Sequence, residues 1–260
     1  MRVFLFGPTA FWNRRQYRSM AIDTQRIASR LLIVGSGGLG VPAAIALGRA
    51  GVSEFGVVDP DSVELSNLPR QVIYGESDIG TPKVIALARR LRDRYPALEV
   101  YPHQCELDAS NAAQLISDYG FVIDATDNPV AKFLINDTCV ALGTPFVYGG
   151  VLGMTGQAMT VIPSKTACLR CLFEEPPDAA EIASCRDAGI IGPVAGAIGE
   201  AQAAEALRWL RRDAPALSGK MMSYDATGGR RVRLTPISVR PGCGCAAATL
   251  ATSAAQRPES

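Results

Sequence analysis

The stretch that most constrains this chain runs from Leu31 to Asp61 and reads LLIVGSGGLGVPAAIALGRAGVSEFGVVDPD. Leu31, Leu32, Ile33 and Val34 predict a buried strand. The glycines Gly35, Gly37, Gly38 and Gly40 then turn the chain into an Ala/Leu-rich helix. A second apolar run, Phe55 to Val58, predicts a second strand that ends on Asp59. Glycines in such a turn let backbone N–H groups approach a phosphate at the helix N-terminus. Asp59, 24 positions after Gly35, is placed to accept hydrogen bonds from a ribose. The unit predicts a parallel α/β sheet that holds an adenine nucleotide. The competing reading is a turn that only packs helix against strand.

Composition narrows the partners. Lys+Arg number 26 against 25 Asp+Glu, so no bulk field draws the chain to nucleic acid or to an anionic membrane. The start, MRVFLFGPTAFWNRR, has too short an apolar run for a secretory signal. The most apolar long stretch, Ile190 to Leu210, is interrupted by Glu200, Glu205 and Arg208 and is unsuited to span a bilayer. A cytoplasmic protein is expected. Seven cysteines are an odd number, and in a reducing compartment their spacing argues for metal or thiol chemistry before disulfides.

Residues 1–30 carry Arg14, Arg15, Arg18, Arg26 and Arg30 among apolar positions and predict a helical lead-in. Asp61 to Gly80 has no clear period and is long for a connection, which marks a functional loop holding Asn67, Arg70 and Gln71. Thr81 is then expected as N-cap and Pro82 as the first residue of a helix, with Lys83 in its first turn. A lysine there is unfavourable unless it meets an anion. Phe121 to Asp124 predicts another buried strand, followed by Ala125, Thr126, Asp127 and Asn128. Ligands in doubly wound sheets sit beyond the carboxyl ends of strands, so Asp127 and Asp59 are expected to face one crevice. Asp127 is a candidate Mg²⁺ ligand; alternatively Asp127 or Asn128 caps the helix from Pro129 to Leu142. A long helix from Gly192 to Arg212, with Gly192, Gly196 and Gly199 for close packing, precedes closing antiparallel strands at Met221–Asp225 and Arg230–Ile237. One domain over 31–245 is expected, followed by a frayed tail over 246–260.

Taken in order, GSGGLG (35–40), Asp59, NLPRQ (67–71), GTPK (80–83), DATDN (124–128), CLRC (168–171), CRDAGIIGP (185–193) and MSYDA (222–226) resemble the ThiF/MoeB family, relatives of ubiquitin-activating enzymes. The resemblance covers roughly residues 12–245. It implies a Rossmann-like, mostly parallel sheet extended by antiparallel strands, and a homodimer. It implies ATP-dependent adenylation of the C-terminal glycine carboxylate of a small ubiquitin-like sulfur-carrier protein ending in Gly-Gly. Asp59 would hold the ribose, Asn67, Arg70 and Lys83 the phosphates, and Asp127 the Mg²⁺, with Gln71 and Asn128 in the same motifs. An arginine from the N-terminal segment would reach the partner subunit's site; here Trp12-Asn13-Arg14-Arg15-Gln16 offers Arg15, with Arg14 as the alternative. With no rhodanese-like domain after residue 245, a separate sulfur donor is expected, serving thiamin, molybdopterin or another sulfur-containing metabolite.

Cys168 and Cys171, spaced C-x-x-C, form half of a tetrahedral zinc site. The family places a second pair near the C-terminus, here Cys243 and Cys245 in the tighter C-x-C spacing. Four thiolates leave no open position, so such a zinc is structural; the alternative is two pairs of buried thiols. Cys185 matches a cysteine that in some family members bonds the carrier covalently, with direct sulfur delivery to the adenylate as the alternative. Cys105 and Cys139 are expected in the core. Two rival functions are a nicotinamide-dependent oxidoreductase using the same glycine turn and a carrier-binding homologue without catalysis.

Overall fold

In the computed structural model, residues 30–177, 191–228 and 231–245 are described. The N-terminal segment with Arg14 and Arg15, the stretch containing Cys185, and the tail from 246 lie outside them.

The strand expected at Leu31–Val34 forms as β1, an interior strand of an eight-stranded sheet. It is followed by α1 (Gly40–Arg49), β2 (Glu54–Val58), α2 (Lys83–Arg94), β3 (Glu99–His103), α3 (Ala112–Ser117), β4 (Phe121–Asp124) and α4 (Pro129–Leu142). Then come β5 (Phe146–Leu152), β6 (Thr155–Val161), a single turn α5 (Leu169–Leu172), the 19-residue α6 (Gly192–Leu210), β7 (Lys220–Asp225) and β8 (Arg231–Pro236). The strand order is β3-β2-β1-β4-β5-β6-β7-β8. Pairing is parallel from β3 to β5 and antiparallel from β5 to β8. The sheet is therefore the expected one, a mostly parallel half extended by antiparallel strands.

The alternation within β1 explains why both faces of the sheet are covered. Leu31 and Ile33 point into one core with Phe55, Val57 and residues of α1, α2 and α6. Leu32 and Val34 point into the other with Val58, Ile116, Phe133 and Cys139. Phe55, Phe121 and Phe146 are fully buried, each contributing about 1.5–3 kcal/mol by leaving water. Of the three glycines expected to let α6 approach a neighbour, Gly199 does so: a Cβ there would lie 2.3 Å from the Leu39 carbonyl oxygen, whereas one on Gly196 would meet nothing.

Chain direction puts the carboxyl ends of β2, β1 and β4 side by side, with Val34 in register with Val58 on one side and Asp124 on the other. The strand order reverses between β1 and β4, which is where ligands bind in such sheets. Some boundaries differ from expectation. The second helix starts at Lys83, and Pro82 is the N-cap with extended backbone (ψ 131°); Thr81 does not cap it. The cause is a bridge between Ser62 and Pro82, extended by a 2.8 Å bond from the Lys83 N–H to the Asp61 carbonyl. Cys139 is buried as expected, but Cys105 is only half-buried. No helix among the described residues is long and apolar enough to cross a membrane.

Candidate functional site: a hydrogen-bonded circuit around the glycine turn

The glycine turn is built against β4. Gly35 adopts φ +98°, and a Cβ on it would lie 2.6 Å from the Ala125 carbonyl oxygen, so only glycine fits there. Ser36, next in the turn, donates to one carboxylate oxygen of Asp59 twice, from its N–H at 2.7 Å and its hydroxyl at 2.9 Å. The other Asp59 oxygen accepts from the Asp61 N–H at 2.9 Å. Asp61 in turn accepts from the Lys83 ammonium at 2.7 Å. The circuit closes through Tyr74, whose hydroxyl lies 2.9 Å from the Ser36 carbonyl and 3.3 Å from that of Lys83. Burial pushes the Tyr74 phenol well above its usual range, so it stays protonated and donating.

Asp59, Lys83 and the glycine turn, which the sequence singles out separately, are thus parts of one ring of bonds. Lys83 is buried while its partner Asp61 is 63% exposed, so the anion that a first-turn lysine calls for is supplied by the protein itself, on the solvent side. Ser36, Asp61 and Tyr74 are the members that sequence reasoning missed. Ser36 and Asp61 adjoin expected residues, but Tyr74 reaches the turn only through space.

The loop between β2 and α2 carries the next group. Asn67 is buried and accepts from the Glu64 N–H at 3.2 Å, and Arg70 donates to the Ser66 carbonyl at 2.9 Å. Gln71 is 3% exposed, stands beside Gly37, and its Oε1 has no hydrogen-bond partner among the described residues. A buried acceptor left open next to a glycine turn fits a site that takes a ligand with donors, such as a ribose or an adenine amine. The loop is anchored by Asp78, whose buried carboxylate accepts from the Gly75 N–H at 2.9 Å and from Arg89 and Arg90 of α2. Burial works against ionisation of Asp78, but these bonds outweigh it and hold its carboxyl below the usual range.

At the end of β4, Asp124 is fully buried and accepts from the Thr126 hydroxyl at 2.7 Å and from Lys132 of α4 at 3.2 Å; its own carbonyl accepts from Gln202 of α6 at 2.6 Å. These bonds fix the turn on which Asp127 stands exposed, three residues beyond the strand. Asn128 caps α4 through its side-chain oxygen, which accepts from the Val130 N–H at 2.9 Å. Of the two capping candidates, Asn128 is the one that caps, and its oxygen is committed to that task.

The four expected metal-ligand cysteines converge. The sulfurs of Cys168, Cys171, Cys243 and Cys245 all lie within 4.8 Å of one another. Cys168 to Cys243 is 3.7 Å, and Cys171 to Cys245 and Cys243 to Cys245 are 3.5 Å each. Sulfurs around a tetrahedral zinc with bonds of about 2.3 Å stand about 3.8 Å apart, so the C-x-C spacing fits. Burial pushes the Cys168 thiol up to about 11. At Cys243 burial acts the same way, but hydrogen bonds from the Cys245 backbone and the neighbouring thiols prevail and pull it down, whereas burial and the neighbouring thiols push Cys245 up.

The ThiF family profile matches residues 15–245. The chain is 38% identical over 217 residues to the SAMP-activating enzyme E1 of Haloferax volcanii, covering 84% of this chain and 80% of that protein. It is 39% identical over 214 residues to the adenylyltransferase and sulfurtransferase MOCS3 of Arabidopsis thaliana, covering 82% of this chain and 46% of that protein. The chain thus spans about half the length of this MOCS3 relative. In fold it is similar to E. coli MccB, solved with ATP, at TM-score 0.76 and 19% identity over 91% of this chain and 75% of that one. The profile takes in every described strand and both halves of the cysteine cluster, and the chain belongs to the ThiF family.

Proposed function

We propose that this protein adenylates the C-terminal glycine carboxylate of a small ubiquitin-like sulfur-carrier protein with ATP, releasing pyrophosphate. The observation that carries the reading is the circuit joining the glycine turn, Asp59 and Lys83 at the carboxyl ends of β1 and β2. The names of its relatives, an activating enzyme and an adenylyltransferase, support it.

A carboxylate is already a nucleophile at neutral pH, so no general base is needed to start attack on the α-phosphate. The protein's work is to position the triphosphate and to neutralise its charge. In this reading Asp59 holds the ribose, Gln71 completes its open hydrogen bond on the nucleoside, and Asn67, Arg70 and Lys83 bind phosphates. Asp127 holds Mg²⁺, which supplies charge neutralisation at the pyrophosphate oxygens. Arg15, or Arg14 beside it, serves the partner subunit of a homodimer, and Cys185 meets the activated carrier. The four cysteines hold a structural zinc that staples the chain after β8 to the turn after β6. Sulfur comes from a separate donor, in the cytoplasm, for thiamin, molybdopterin or a related metabolite.

The test is thermal unfolding with ATP plus Mg²⁺, with NAD(H), and with neither. A ligand at 100 times its dissociation constant adds about 2.7 kcal/mol to stability. The reading expects stabilisation by ATP with Mg²⁺ and none by NAD(H); the reverse pattern would replace it with an oxidoreductase.

A further inference from the structure

Asp61 is an acidic residue where the proposed chemistry wants none. Its carboxylate lies 2.7 Å from the Lys83 ammonium, on the solvent side of a buried lysine, inside a ring that also contains the ribose-binding candidate Asp59. It is 63% exposed, so its own burial does not require the pair, whereas Lys83 is 8% exposed and does require an anion. Its backbone holds the same place twice over, through the Asp61 N–H to Asp59 and the Lys83 N–H to the Asp61 carbonyl. The side chain is thus free to leave while the main chain stays.

We propose that Asp61 is a positioning residue that holds Lys83 in the absence of nucleotide and gives it up to a phosphate oxygen when nucleotide binds, so that its charge sets the affinity of the site for polyphosphate. The exchange rests on the reading of Lys83 as a phosphate ligand. An incoming phosphate meets two costs: it must displace the carboxylate, and it is repelled by it at close range. Both disappear when the charge is removed. The main chain at Lys83 keeps its place in either case, because its N–H bond to the Asp61 carbonyl does not involve the carboxylate. A purely structural role for Asp61 predicts something else, a loss of affinity for every ligand of the site.

Calorimetry on the full-length protein separates these roles with three probes: tripolyphosphate, ATP with Mg²⁺, and adenosine. For Asp61→Asn the expected result is tripolyphosphate and ATP binding about fivefold tighter, the equivalent of one partly exposed ion pair, with adenosine unchanged. Asp61→Glu, which keeps the charge, is expected to bind as the wild type does. In a Lys83→Gln background only the relief of repulsion remains, so the effect of Asp61→Asn should be clearly smaller. Weaker ATP and tripolyphosphate binding, an equal change for adenosine, or an effect undiminished by Lys83→Gln would each overturn the exchange. If Asp61→Asn does not fold, Asp61→Ser carries the same expectations. Wild-type protein that ignores ATP but whose tripolyphosphate affinity rises on Asp61→Asn would sink the nucleotide reading and leave the exchange standing. Tripolyphosphate indifferent to Asp61→Asn in a protein that binds ATP would do the opposite.

Discussion

Gly35 shows how much rests on one position. Its φ of +98° and the 2.6 Å between its missing Cβ and the Ala125 carbonyl mean that a methyl group must move either the turn or the end of β4. Gly35→Ala is expected to cost about 1–3 kcal/mol in urea unfolding and to abolish ATP-induced stabilisation; an unperturbed midpoint would show the turn to be pliant. Lys83→Ala should lower pyrophosphate exchange about a hundredfold or more with the fold retained, and unchanged exchange would remove Lys83 from the phosphate site. Gly35, Asp59 and Lys83 were legible in the sequence because each sits in a local pattern of strand, turn and helix start. Ser36, Asp61 and Tyr74 were not. Tyr74 lies 38 residues from Ser36, and nothing local in a polar loop says that its hydroxyl will find that carbonyl.

Among elements, the loop from Asp61 to Gly80 meets the start of α2 through Asp61 and Tyr74 and its middle through one buried carboxylate, Asp78. The Asp78 carboxyl is depressed in the fold by its bonds to Gly75, Arg90 and Arg89. Its contribution is therefore complete above the ordinary carboxylate range and lost as pH falls through the depressed folded value. Asp78→Asn should therefore lower stability most near neutrality and flatten the acid limb, because the variant has no such contribution left to lose there; an unchanged acid limb would contradict this anchoring. At the other side of the crevice, Lys132→Met strands a fully buried Asp124 and should cost about 3–5 kcal/mol by denaturant melting. A cost below about 1 kcal/mol would mean that the Thr126 hydroxyl and N–H alone satisfy Asp124. Most strands and helices were readable from apolar runs and from the Asn128-Pro129 start of α4. The start of α2 was not, because the bridge from Ser62 to Pro82 and the bond from Lys83 to Asp61 are tertiary contacts that keep Pro82 extended.

For the whole molecule, sheet polarity does the organising. The parallel half delivers β1, β2 and β4 ends to one crevice, and the antiparallel half ends beside four cysteines drawn from two segments more than 70 residues apart. The purified protein is expected to carry one zinc per chain by atomic emission. Its removal at mildly acidic pH, where the thiolates protonate, should lower the melting temperature; a chain that is as stable without metal would return these cysteines to the status of core thiols. The C-x-x-C half of this cluster was legible from spacing, and the C-x-C half came from family resemblance, since two residues cannot announce a partner so distant in sequence. The central claim is adenylation of a carrier, and carrier-dependent exchange of labelled pyrophosphate into ATP reads it most directly. Exchange that requires Mg²⁺, an ubiquitin-like carrier with an intact C-terminal Gly-Gly, and Asp127 is the predicted result; ATP binding without any carrier-dependent exchange would contradict it.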